Sequence, residues 1–146
     1  MDKNLSFQDP NDLVDLAGYL KRALRLDSTG AVRLRAFGSV LAVYVSPIYA
    51  GSLLGDGLTV IGLRTLNLTS ENELDSLFTI EDLLAAVEKS VENDELVLVP
   101  PRTAARVGWA GISPPRQGWV RAGEVEQEKI SAWAKEGIAA VAEALP

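Results

Sequence analysis

The amino-acid sequence predicts an α+β fold: a single domain in which an antiparallel meander sheet of four or five strands is flanked by three helices. Length is the first observation behind this prediction, since 146 residues suit one domain with one core. The second is apolar spacing, which follows the helical period in three segments and alternates as in strands between the first two of them. Composition is the third, because 47% hydrophobic and 23% charged residues are typical of globular proteins. We expect the first and last helices to pack on one face of the sheet.

The three helices are predicted from apolar stripes and from the residues that precede them. Asp9 can cap a first helix from about Asn11 to about Leu26. The segment from Thr79 to Asp82 resembles a capping box for a second helix, which ends near Asn93. A third helix is predicted from about Glu124 to about Leu145. Its apolar face comprises Ile130, Trp133, Ala134, Ile138, Val141 and Leu145.

Apolar and β-branched residues predict the strands of the meander. Gly55-Asp56-Gly57 is typical of a hairpin turn between the second and third strands. The mostly polar segment from Thr69 to Asp75 is predicted to be a loop. The predicted strands cover residues 32–36, 40–45, 58–68 and 95–99.

A surface loop rich in proline, arginine and tryptophan, the Pro/Arg/Trp loop, is predicted at about residues 100–121. It contains four of the seven prolines, two of the three tryptophans and four of the nine arginines. Two similar phrases occur in it: Pro100-Pro101-Arg102 before Gly108-Trp109, and Pro114-Pro115-Arg116 before Gly118-Trp119. Loops of this length are uncommon in compact domains and are often functional or docked on the surface. The Pro/Arg/Trp loop is therefore the main lead to function.

Eight arginine and tryptophan residues form a candidate interaction surface. Guanidinium groups bind carboxylates and phosphates, and an indole ring offers a stacking face. Three interpretations remain open. In the first, the tryptophans anchor the loop to the core and the arginines pair with carboxylates. In the second the loop contacts a partner protein, and in the third it binds a small anion. For the two arginines of the first strand, a solvated edge-strand face is the alternative to a shared basic pocket. The eight residues are Arg102, Arg106, Trp109, Arg116, Trp119, Arg121, Arg33 and Arg35.

Charge is distributed unevenly along a chain whose net charge is −6. Residues 21–35 carry +4, residues 96–123 carry +4, and the rest of the chain carries −14. Nucleic-acid binding is disfavoured, because affinity for phosphates needs many cations on one surface. Two basic segments in an acidic chain suit a discrete anionic ligand or a second, oppositely charged surface of the same protein.

The sequence contains no histidine and no cysteine. Catalytic triads and dyads of the Ser-His-Asp and Cys-His types are therefore excluded. Zinc sites that use histidine or cysteine ligands are excluded for the same reason. Glu71, Glu73 and Asp75 alternate as in a calcium-binding loop, but the glycine and the later glutamate of an EF-hand are missing. No catalytic motif, cofactor or metal site is predicted, which weighs against an enzyme.

The segment from Ala36 to Gly55 contains no charged residue and has the length of a membrane span. Glycine, serine and proline interrupt it, and its valine and aromatic residues favour strands instead. The beginning of the chain lacks the basic start and apolar run of a signal peptide, so a cytoplasmic location is expected.

Two parts of the chain resemble a family of actinobacterial proteins of similar length that has no assigned activity. The first part is DPNDLVDL at residues 9–16, followed by LRLD at residues 24–27 and VRLR at residues 32–35. The second is the phrase from Pro100-Pro101-Arg102 to Gly118-Trp119 before the last helix. The resemblance covers about half of the chain and implies a bacterial cytoplasmic domain, but it assigns no catalytic residue.

These observations favour a non-enzymatic interaction or accessory domain that self-associates as a dimer or binds another protein, with the Pro/Arg/Trp loop in the contact. The alternative is a binding protein, or a carboxylate-based enzyme, for a small anionic metabolite. In that alternative at least two arginines converge without carboxylate partners, and nucleic acid, membrane and cofactor are not expected in either case. The arginines concerned are Arg102, Arg116, Arg33 and Arg35.

Overall fold

The computed structural model of the protein describes residues 4–49, 59–102, 104–111, 114–115 and 117–144. Three α-helices and two pairs of antiparallel strands form in this part of the chain, which confirms the α+β class and the three predicted helices. In chain order the elements are β1 (Leu5–Ser6), α1 (Pro10–Leu26), β2 (Ala31–Ile48), β3 (Val60–Thr79), α2 (Ile80–Glu92), β4 (Val97–Leu98), the 3₁₀ turn Gly108–Gly111 and α3 (Gln127–Ala144).

A long antiparallel hairpin of β2 and β3 dominates the structure. Its register runs from Ala31 opposite Thr79 to Ile48 opposite Val60. The short strands β1 and β4 pair with each other, and a single bridge from Phe7 to Leu68 joins this pair to β3. The described strands thus form two sheets of two strands each, in place of the predicted meander of four or five strands. The predicted hairpin turn at Gly55-Asp56-Gly57 lies outside the described residues.

Two of the predicted strands are halves of the single strand β2. Gly38 has a φ of +59°, and the register shifts between Gly38 and Val40. Glycine accepts this left-handed conformation without strain, so the strand continues through a bulge where a break was predicted. The bulge also changes which positions are buried: Val32, Leu34 and Ala36 before it, and Leu41, Val43 and Val45 after it.

The predicted loop from Thr69 to Asp75 is part of β3. Acidic residues and asparagine are poor strand formers, which is why the local sequence indicates a loop. Pairing with β2 overrides this preference and buries Leu74 opposite Ala36. The alternating acids Glu71, Glu73 and Asp75 are therefore the exposed side of a strand.

The main core lies between one face of the hairpin and the helices α1 and α2. The two helices also share an ion pair, in which Lys21 Nζ lies 2.8 Å from Glu88 Oε1. The prediction that the last helix would pack beside the first was wrong, because α2 occupies that place and the described side chains of α3 are exposed except for the half-buried Val141. Fully buried side chains include Leu16 and Leu20 of α1, Leu83 and Val87 of α2, and Val32, Leu34, Leu41 and Val43 of β2.

Both predicted N-terminal caps are confirmed. Asp9 Oδ1 accepts a hydrogen bond of 2.8 Å from the backbone N–H of Asn11. Thr79 Oγ1 accepts one of 3.1 Å from the backbone N–H of Asp82. Each bond satisfies an N–H group that the helix itself leaves without a partner. None of the helices in the described part of the chain has the length and hydropathy needed to cross a membrane.

Gly62 of β3 allows α1 to approach the hairpin closely. A Cβ atom at this position would lie 3.1 Å from the hydroxyl oxygen of Tyr19 and 3.5 Å from a methyl group of Val45. The Tyr19 hydroxyl is buried there and has no hydrogen-bond partner among the described residues. Burial raises the pKa of Tyr19, and the nearby charge of Arg64 opposes this only in part.

Substitution of Tyr19 by Phe tests this unpaired hydroxyl. Removal of a buried polar atom without a partner should leave the free energy of unfolding unchanged or raise it by up to about 1 kcal/mol near pH 7. Because the folded-state pKa is raised, the unfolded chain ionises first, and stability falls as the pH rises above about 10. The variant should lose less stability than the wild type between about pH 9 and about pH 11, as measured by urea denaturation.

The matched control is Tyr49→Phe, since Tyr49 is exposed. We expect this control to retain the alkaline sensitivity of the wild type. A loss of more than about 1 kcal/mol in Tyr19→Phe would show instead that the hydroxyl is bound in the folded protein.

Candidate interaction surface

The second face of the hairpin is the one opposite α1 and α2. Residues 104–111 of the Pro/Arg/Trp loop pack on part of this face. The backbone N–H of Ala105 donates a hydrogen bond of 2.9 Å to the carbonyl oxygen of Leu77. The 3₁₀ turn then packs Trp109 and Ala110 against Tyr44, and Trp109 is only 3% exposed. The half-buried residues around this small cluster are Ala42, Ile61, Leu77 and Val107. Trp109 is thus part of a second core.

Arg33 connects three segments on this face. Its Nε and Nη2 atoms donate hydrogen bonds of 2.7 Å and 2.9 Å to the two carboxylate oxygens of Asp75 on β3. Its Nη1 atom donates a third hydrogen bond to the carbonyl oxygen of Ala110. The hydrogen bond to Asp75 raises the pKa of Arg33, while burial acts in the opposite direction. One guanidinium therefore joins β2, β3 and the 3₁₀ turn.

Arg35 lies two residues further along β2 and points to the same face. Its Nη1 atom donates a hydrogen bond of 3.3 Å to the carbonyl oxygen of Pro114, and its Nε atom lies 3.5 Å from the Asp75 carboxylate. The buried Nε atom forms no hydrogen bond with the described residues, so this contact with Asp75 is an ion pair only. Both arginines contact the same carboxylate, and each donates a hydrogen bond from its Nη1 atom to a loop carbonyl.

Strand periodicity explains why these charged groups meet. Arg33 and Arg35 are two positions apart on β2, and Asp75 is directly opposite Arg35 in the hairpin register. Asp75 was not among the predicted site residues, because its segment was predicted to be a loop. The signal that could have identified it is the alternation from Glu71 to Asp75, which matches the period of a strand better than a metal-binding loop.

The other predicted arginines do not join this cluster. Arg102 and Arg106 are exposed and form no ion pair with the described residues. Arg121 pairs with Glu124, three residues further along the chain. Arg116 lies outside the described residues. The structure thus brings together Arg33, Arg35 and Trp109, and it does not show a basic pocket built by all the predicted residues.

Trp119 has a different environment from Trp109. Its ring is 70% exposed, and its Nε1 atom donates a hydrogen bond of 2.7 Å to the carbonyl oxygen of Pro115. Val120 beside it is 84% exposed. The described parts of the Pro/Arg/Trp loop therefore differ: residues 104–111 are docked on the hairpin, whereas Trp119 and Val120 present apolar side chains to solvent.

A cleft of about 870 Å³ lies where the bulge of β2 meets the end of β1. Phe37 and Gly38 line one side of it, and the segment from Ser70 to Ser76 lines the other. The Asn72 side chain donates a hydrogen bond of 2.9 Å to the carbonyl oxygen of Asn4 at its edge. Its charged lining residues are acidic, which does not suit an anionic ligand. Among the described residues no group of three or more acidic side chains could hold a metal ion.

The geometry defines a class of small α+β domain: a helix-covered β-hairpin whose second face is partly covered by an arginine-anchored turn. Residues 1–111 match the family model described as Domain of unknown function (DUF8010), and the chain belongs to this family. This confirms the expectation of a family without an assigned activity. No curated protein and no solved structure matched the chain. The match ends at Gly111, the last residue of the 3₁₀ turn, so Trp119 and α3 follow the matched segment.

Substitution of Arg33 by Lys tests the anchoring of the turn. A lysine keeps the positive charge, but it cannot grip both oxygens of Asp75 and reach Ala110 in the same geometry. The free energy of unfolding should fall by about 1.5 kcal/mol in urea denaturation. Tryptophan fluorescence should shift to longer wavelength before global unfolding, because release of the turn exposes the Trp109 side chain to water.

Arg25→Lys is the control, since Arg25 is exposed at the end of α1. The control should change stability by less than about 0.5 kcal/mol. Equal effects of the two substitutions would contradict an anchoring role of Arg33.

Proposed function

We propose that this protein is a non-enzymatic interaction domain that self-associates as a dimer, with the segment from Pro100 to Trp119 contributing to the contact. The observation that supports this most directly is the exposure of Trp119 and Val120 immediately after the docked turn. Adjacent exposed apolar residues often mark interaction sites, and tryptophan is enriched among residues that dominate binding energy.

Two hydrogen bonds to proline carbonyls support the proposal, because they hold the residues around Trp119 in place. Arg35 holds the carbonyl oxygen of Pro114, and the Trp119 indole holds that of Pro115. Two prolines in sequence also restrict the backbone, which reduces the entropy lost when a surface binds. Trp119 is therefore presented by a constrained segment, as a contact residue requires.

Charge also favours a second copy as the partner. The basic segment of residues 96–123 carries no acidic residue, whereas residues 36–95 carry ten acidic and two basic residues. Contact between these two parts of different copies would be attractive, and salt would weaken it by screening.

The contacts of the arginines give less support to the anionic-metabolite alternative. Arg33 and Arg35 both face Asp75, which neutralises part of their charge, and Arg102 is exposed elsewhere. No two of these three guanidinium groups meet at an open cavity without a carboxylate. The actinobacterial origin and the cytoplasmic location stay predictions from the sequence, and the proposal does not depend on them.

Sedimentation velocity tests the self-association. The wild type should sediment as a dimer at tens of micromolar, with weaker association at high salt. Trp119→Ala should weaken dimerisation by about tenfold, because it removes a large apolar contact.

Val14→Ala is the matched control, since Val14 is an exposed apolar residue on α1. It should leave the association unchanged. A single monomeric species at these concentrations, at low and at high salt, would contradict the proposed self-association.

A further inference from the structure

Helix α3 carries an apolar face that none of the described residues covers. All of its described side chains are exposed except that of Val141, which is half-buried. Trp133 is 56% exposed and Ile138 is 70% exposed. The apolar and small residues recur at spacings of three and four, as on the buried side of a packed helix. These residues are Ile130, Trp133, Ala134, Gly137, Ile138 and Val141.

The order of large and small residues on this face indicates the kind of helix that can cover it. In the heptad nomenclature of helix pairs, Ile130 and Gly137 are at position a, and Trp133 and Ala140 are at position d. At positions a and d, large residues therefore occupy the first half of the helix and small residues the second half. In an antiparallel pair of identical helices a meets d, so Trp133 packs against Gly137, and Ile130 against Ala140, of the second copy. In a parallel pair Trp133 would meet Trp133 and Gly137 would meet Gly137, which leaves overpacking beside a void.

Charges beside the face favour the same arrangement. Lys129, Glu136 and Glu143 are seven residues apart and form the g column of the heptad. In an antiparallel pair g faces g, so Lys129 of each copy faces Glu143 of the other, and the two Glu136 side chains meet at the centre. In a parallel pair the g column faces position e, where Ala134 and Val141 provide no charge. Only the antiparallel arrangement produces ion pairs along this column, and its two Lys129–Glu143 pairs outnumber the single repulsive contact between the two Glu136 side chains.

We propose that α3 pairs in antiparallel orientation with α3 of a second copy of this chain, with the indole of Trp133 over Gly137 of that copy. This inference rests on the proposed self-association and adds a contact between the two α3 helices to the one proposed for the segment from Pro100 to Trp119. A Cβ atom added to Gly137 meets nothing within 4 Å in its own chain, so the site over this glycine is open. The helix is about 27 Å long, so the paired surface is small, and dissociation constants in the micromolar range are expected.

Chemical cross-linking of the full chain tests the orientation. The sequence contains no cysteine, so an introduced cysteine is the only thiol. In the antiparallel pair the two residues at position 136 lie close together, whereas the two residues at position 140 are about 15 Å apart along the axis. A short bismaleimide reagent should therefore link Glu136→Cys into a covalent dimer and leave Ala140→Cys as a monomer.

The outcomes distinguish this inference from the broader proposal. Linking of Ala140→Cys without Glu136→Cys would indicate a parallel pair and overturn the inference. Absence of linking in both variants, with a dimer still seen in sedimentation, would also overturn it and would leave self-association through another surface. A monomeric wild type would overturn both.

Substitution of Gly137 by Leu tests the predicted contact with Trp133. Leucine favours a helix more than glycine does, so α3 itself should become more helical by circular dichroism. Dimerisation should nevertheless weaken at least about tenfold, because the side chain fills the place of the Trp133 indole. Ala139→Leu adds a leucine on the opposite side of α3 and should not weaken dimerisation. Equal association of the two variants would overturn the inference.

A charge exchange tests the pairing of Lys129 with Glu143. Lys129→Glu should weaken dimerisation by about fivefold, since it replaces two attractive contacts by two repulsive ones. Adding Glu143→Lys to this variant should restore the wild-type affinity, because the pairs reform with reversed charges. Failure of the second substitution to restore association would count against the antiparallel register.

Discussion

The bidentate contact between Arg33 and Asp75 is the interaction on which the second face of the hairpin depends. It joins β2 to β3 through side chains, and it orients the guanidinium so that its remaining donor reaches Ala110. A planar guanidinium with five donors can make such a three-way contact, which a lysine cannot. The position of Trp109 over Tyr44 follows, because the turn that carries this tryptophan is held at Ala110. The basic residues of β2 thus have a structural role within the chain.

The two faces of the hairpin are covered to different extents, and this difference shapes the surface of the protein. Helices α1 and α2 cover one face with a continuous core. The other face receives the short turn and its flanking residues, so that Leu63 opposite Tyr44 and Phe37 near the bulge are about half exposed. Among the described residues beyond Gly111, Pro114 contacts this face through Arg35, whereas Trp119 and Val120 stay exposed. The protein therefore combines one fully covered face of the hairpin with exposed apolar side chains on the other face and after the 3₁₀ turn.

Local signals in the sequence were sufficient for the helices and insufficient for the sheet. The caps at Asp9 and Thr79 involve neighbours two and three residues away, and so they could be predicted. The extent of β3 depends on pairing with residues about forty positions earlier in the chain, such as Arg35 with Asp75. For this reason the partner of the arginines was missed although the arginines themselves were predicted. In the same way, helix α3 was predicted correctly, although Leu145 of its predicted apolar face lies outside the described residues, and a single-chain pattern does not specify what packs against this face.

Charge and apolar surface have separate roles in the proposed association. Exposed ion pairs such as those expected for Lys129 contribute at most about 1 kcal/mol each, whereas burial of a large aromatic side chain contributes about 2 to 3 kcal/mol. Arg33 and Arg35 are already engaged within the chain, so their charge adds little at a contact. The affinity should therefore depend mainly on Trp119 and Trp133. Because the Lys129–Glu143 pairs can form only in the antiparallel arrangement, the charged g column selects orientation more than strength.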